Sequence, residues 1–78
     1  MKIRVGETKR RGEVIETVIY DITRVDNPVH ASVFQIGSRF VAVPKDDNWP
    51  VTEYGSFNEA VGFTERLIVI EDHGDYAF

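Results

Sequence analysis

The stretch Glu13–Val25, EVIETVIYDITRV, decides the fold, because it reads in two ways. Wound at about 100° per residue, Val14, Ile15, Val18, Ile19, Ile22 and Val25 fall in one arc, which is the pattern of an amphipathic helix. Their identities argue for the opposite. Nine of these thirteen positions are Val, Ile, Thr or Tyr, side chains that lose rotamer freedom in a helix and fit a pleated surface. Propensity summed over such a window outweighs a short periodic match, so a long strand is expected over 13–25, with a helix over 13–25 as the alternative.

Upstream, Lys2–Thr8 alternates as an edge strand would, with Ile3 and Val5 on one side and Lys2 and Arg4 on the other. Lys9, Arg10 and Arg11 then lead into Gly12, which accepts a positive φ, so the basic triplet is expected at the tip of a turn. Downstream, Asp26, Asn27 and Pro28 form a turn cluster, since Pro28 lacks an amide hydrogen and pushes Asn27 away from helical angles. A hairpin follows, Val29–Ile36 and Arg39–Pro44 flanking Gly37-Ser38, a dipeptide suited to a two-residue turn. Pairing Ile36 with Arg39 sets Phe34, Ile36, Val41 and Val43 on one face and Val33, Gln35, Phe40 and Ala42 on the other. The first, bulkier face is expected to meet the helix. The second then leaves Val33 and Phe40 uncovered, and a symmetric homodimer is the expected way to hide them.

Residues Lys45–Gly55 read as a loop of about eleven residues, near the upper end for compact domains. After it, Ser56 and Glu59 write a helix start. Ser56 is placed to accept the Glu59 amide hydrogen while the Glu59 side chain returns to the Ser56 amide, and Phe57, Ala60, Val61, Phe63, Leu67 and Ile68 make one apolar face. Beyond Ile68 the stripe fails at Val69, and 71–78 reads as a polar, glycine-containing, flexible tail. The expected fold is α+β, a single domain over 1–78 with a three- to four-stranded, mainly antiparallel sheet and one C-terminal helix over about 56–68 packed on one face. The alternative is helix, hairpin, helix.

Composition narrows function by exclusion. A chain of 78 residues has a small core. With no cysteine and only His30 and His73 as imidazoles, it offers neither a disulfide nor a zinc set, and the tail acids Glu71, Asp72 and Asp75 lack the spacing of a calcium loop. No metal or cofactor is expected. The apolar runs are too short to cross a bilayer and the N-terminus lacks a signal layout, so a cytoplasmic protein off the membrane is expected. The net charge of −4 is uneven: residues 1–12 hold five basic side chains against Glu7, and the remainder is strongly acidic.

No catalytic set emerges. Neither histidine has a nucleophile in evident reach, adjacent Asp46 and Asp47 would diverge on an extended loop rather than form an acid-base pair, and Gly6–Gly12 lacks the Gly-Lys-Ser/Thr ending of a phosphate loop. The chain is expected not to be an enzyme. Aromatic side chains outside the regular elements, interleaved with acids, are the better lead, because interfaces use such residues as anchors and rim. The candidate partner-binding set is therefore Trp49, Asp46, Asp47, Tyr54, Tyr76 and Phe78. The alternative is nucleic-acid contact through Lys9, Arg10 and Arg11, with Phe34 or Phe40 as stacking surfaces.

The layout strand, strand, then a capped helix written Gly55-Ser56-Phe57-Asn58-Glu59-Ala60-Val61, over residues 29–68, resembles that of many small accessory proteins from phages and bacteria. What the resemblance implies is a stand-alone module that binds and modulates a host macromolecule. The expected function is a non-enzymatic, phage-type inhibitor or modulator whose acidic and aromatic surface occupies a basic site on a host or cellular protein.

Overall fold

The computed structural model describes residues 2–73. They form a five-stranded antiparallel meander, β1 (Ile3–Arg11), β2 (Val14–Asp21), β3 (Val29–Ile36), β4 (Arg39–Pro44) and β5 (Thr52–Tyr54), followed by α1 (Phe57–His73). Spatial order follows chain order, so each strand pairs with its neighbours in sequence. The α+β class and the single helix packed on one face agree with expectation. The strand count is five, not three to four.

The decisive stretch is a strand, as its β-branched composition requires, but it stops at Asp21 rather than running to Val25. Asp21 ends it by an Asx-type turn, its Oδ1 accepting the Thr23 amide at 2.9 Å and the Thr23 hydroxyl. The side chain competes with the ladder for the backbone, which is why Asp favours strand ends. Residues 22–28 then cross over as a loop, closed by Asn27 N–H donating to the Arg24 carbonyl at 3.1 Å, with Asn27 in the left-handed region at φ 46°.

Three further boundaries move. β1 extends through the basic triplet to Arg11, and the turn is Gly12-Glu13, with Arg11 opposite Val14 and Gly12 at φ 62°. The presumed loop 45–55 contains β5, whose three residues pair with Phe40, Val41 and Ala42. Helix α1 runs past Ile68 to His73, so part of the expected tail is helical; residues 74–78 lie outside the described residues. The hairpin matches its expectation in both register and turn: Ile36 faces Arg39, and Gly37 has φ 64°.

The face assignment is reversed. The helix lies on the side of Ile19, Ala31, Val33 and Ala42, all buried, with Ala60 and Ile68 of α1 against them and Phe40, Tyr54, Phe57, Val61 and Phe63 around the margin. Phe34, Ile36, Val41 and Val43, expected to meet the helix, lie on the opposite face, and the Val33–Phe40 face needs no second copy to hide it. Small side chains explain this: Ala31, Ala42 and Ala60 let helix and sheet approach closely, whereas bulk on both surfaces would hold them apart. All six apolar helix positions named from sequence are buried or half-buried.

The helix starts as its sequence demands, with the Ser56 Oγ accepting the Glu59 amide at 3.2 Å. The return contact differs from expectation, the Ser56 hydroxyl donating to Glu59 Oε1 at 3.3 Å. Hydrogen bonds from Lys2, beside β1, and from His30 in β3 reach α1. Lys2 N–H donates to Glu65 Oε2 at 3.0 Å, and His30 Nε2 donates to the Thr64 carbonyl at 2.9 Å. His30 reaches the helix because it is the additional residue of a β-bulge, Ile19 facing Ala31 and Tyr20 facing Val29.

Candidate functional site

The acidic turn after β4 holds the main candidates. Asp46 Oδ1 accepts the Asn48 amide at 2.9 Å, and its carbonyl accepts the Trp49 amide at 3.1 Å. These two bonds fix residues 46–49 as a compact turn, with Asp46 and Asp47 exposed and Trp49 half-buried beside them. Tyr54 departs from expectation: it belongs to β5, is half-buried, and stacks against Phe63 with ring centroids 5.8 Å apart. Its ring completes the helix–sheet seam. Tyr76 and Phe78 lie outside the described residues, so the turn brings together Asp46, Asp47 and Trp49 alone.

The basic triplet is split by the pleat. In an extended strand successive side chains alternate, so Lys9 and Arg11, opposite Glu16 and Val14, lie on the face away from the helix, while Arg10, opposite Ile15, lies on the helix side. Arg10 Nε also donates to the Gly12 carbonyl at 3.2 Å. The aromatic candidates separate too. Phe40 packs edge-on against Phe57 at 6.3 Å, so only Phe34 shares the open face with Lys9 and Arg11.

Sequence reading missed a shallow cleft of about 520 Å³ lined by Asp21, Arg24, Pro28, Val29, His30, Lys45 and Asp46. Arg24 Nε and Asp21 Oδ2 form its ion pair at 3.1 Å. Burial alone would raise the Asp21 pKa, but hydrogen bonds from the Thr23 hydroxyl and amide and from Arg24, aided by the His30 charge, outweigh it and hold the carboxyl below its ordinary value of 3.8. The cleft is charge-compensated, with Arg24 and Lys45 against Asp21 and Asp46. The Asp-x-Thr sequence at 21–23 was its legible sign.

A second cluster occupies the outer side of β1 and β2. The Arg4 guanidinium lies 4.5 Å over the Tyr20 ring, and the Tyr20 hydroxyl donates to Glu7 Oε1 at 3.0 Å. That bond raises the Tyr20 phenol pKa, while the Glu7 backbone amide and the Tyr20 hydroxyl lower that of Glu7. Gly6 is required there, because a Cβ at this position would sit 2.3 Å from the Tyr20 ring.

Among the described residues no three His, Asp or Glu side chains converge as a metal set, and His30 is engaged with the helix rather than with a nucleophile. No described helix is long and apolar enough to cross a membrane. Comparison with family models, curated proteins and solved structures returns no match for this chain.

Proposed function

We propose that the protein is a non-enzymatic binding module, an accessory modulator of the phage and bacterial kind, whose acidic turn docks on a basic surface of another protein. The observation that carries this reading is the fixed turn at 46–49. Two hydrogen bonds to Asp46 hold the backbone that carries the adjacent carboxylates and Trp49 in one turn, so docking need not order that backbone first. Opposite charge speeds encounter, and the indole edge supplies contact area that lengthens the complex.

Affinity capture from lysate at physiological salt, followed by titration of the recovered protein, tests the reading. Wild type should retain a basic partner, with Asp47→Lys weakening it roughly tenfold and added salt slowing association. Recovery of nothing beyond background, or equal affinity for Asp47→Lys, would end it.

A second reading, nucleic-acid binding, draws on Lys9, Arg11 and Phe34 sharing the open sheet face. Glu16 weighs against it, standing between Lys9 and Phe34 in the strand register. A carboxylate there repels the phosphates that stacking would bring in. Labelled oligonucleotides at low salt are expected to show no binding.

A further inference from the structure

Antiparallel pairing places side chains of facing residues on the same side of the sheet, so the register maps the face that α1 leaves open. One row runs Arg11, Val14, Ile36, Arg39 and the next Lys9, Glu16, Phe34, Val41, Glu53. A third holds Val18, Ser32 and Val43. Six large apolar side chains, Val14, Val18, Phe34, Ile36, Val41 and Val43, thus form a continuous patch, each half-buried or exposed, with Ile36 at 48%. Solvated sheet faces are mostly polar; this one is apolar at half of these twelve positions.

We propose that this face is the interface of a homodimer, two copies stacking sheet on sheet about a two-fold axis between them. Size supports a second copy. The thirty-four strand residues, each taking roughly 3.3 Å along its strand and roughly 4.8 Å across it, span about 540 Å² in projection. Side-chain relief raises that toward the roughly 800 Å² per partner of a standard interface.

Charge selects the same occupant. The acids of this face are matched within it: Arg39 Nε meets Glu53 Oε2 at 3.1 Å, and Glu16 accepts the Ser32 hydroxyl at 3.1 Å with Lys9 opposite. The excess negative charge of the chain lies elsewhere, on the loops with Asp26, Asp46 and Asp47 and on α1 with Glu59 and Glu65. Two acidic molecules can therefore meet through this face with their excess negative charge held away from the contact, Arg11 lying exposed at its edge. A highly charged partner of one sign would find no matching field here.

Sedimentation and light scattering of the full chain from about 1 to 200 µM should show the 8.9 kDa monomer giving way to twice that mass. Ile36→Lys, at an exposed site between Val14 and Arg39, should raise the dimer dissociation constant roughly 100-fold or more, since the symmetry buries two unpaired charges. A mixture of labelled and unlabelled wild-type chains supplies a readout that needs no variant. Isotope-filtered NOEs should link methyls of Val14, Val18, Ile36, Val41 and Val43 between copies. A monomer throughout the range overturns the proposal, whether the face then proves to hold an oligonucleotide, another protein or residues 74–78 of the same chain. So does a dimer whose intermolecular NOEs fall on other surfaces.

Discussion

Asp21 shows how one side chain can end a strand and set a pH response. Its carboxylate accepts two bonds from Thr23 and one from Arg24, with Oδ2 to Nε at 3.1 Å. Because its folded pKa lies below the unfolded 3.8, the stability it adds is full above that value and is lost as pH falls through the folded pKa. Asp21→Asn should cost about 1–2 kcal/mol at pH 7, much of it from the unpaired amide facing Arg24. The same variant should flatten the fall in urea midpoint below about pH 4; an acid limb identical to wild type would assign that fall to other carboxylates. Gly6 gives a second test at this scale. Gly6→Ala forces the Tyr20 ring off its seat, a loss of about 1–2 kcal/mol in thermal or urea unfolding, and the loss should largely vanish in a Tyr20→Ala background. The first signal was legible as Asp-x-Thr. The second was not, because it depends on which ring crosses Gly6 from the neighbouring strand.

At the scale of elements, legibility followed the range of the forces involved. The cap at Ser56 and the turn at Gly37 are local chemistry, and both form where the residues say. Ser56→Ala should cost about 1 kcal/mol, measured as a shift in urea midpoint with unchanged slope. β5 was hidden because three residues carry no period of their own; the free edge of β4 gives them partners. The helix face of the hairpin was misassigned for a related reason. Counting apolar bulk favoured Phe34, Ile36, Val41 and Val43, but close approach of α1 selected the face with Ala31 and Ala42. Ala42→Leu should therefore overpack the seam and destabilise by about 2 kcal/mol, with slower folding if helix docking is part of the nucleus. Ile36→Lys on the open face should leave monomer stability within about 0.5 kcal/mol, since the site is already exposed.

For the whole molecule, one helix on a five-stranded sheet covers one face and leaves on the other a patch of six large apolar side chains. Linkage turns the proposed homodimer into a stability prediction. If a second copy covers that face, the melting temperature should rise by a few degrees between about 5 and 200 µM protein, because association favours the folded state. Ile36→Lys should abolish that dependence. The acidic turn at 46–49 follows the end of β4, whereas Ile36 faces Arg39 at its start, so partner capture through Asp47 and self-association through Ile36 should respond to separate substitutions. Of the candidate residues named from sequence, Asp46, Asp47 and Trp49 converge, because they are neighbours on one turn. Tyr54 and Arg10 do not, because pleating sends them to the helix side.

By itself the sequence determined the elements whose causes are local: a β-branched second strand, a glycine hairpin, a serine-capped helix with one apolar stripe, and an acidic body with a basic N-terminal segment. These rest on backbone propensity and on hydrogen bonds spanning a few residues. Only the tertiary structure decided the fifth strand, the side of the sheet that the helix covers and the open face that remains. Each of those depends on how volumes fit across residues distant in the chain, and close packing of small side chains prevails there over the count of apolar ones.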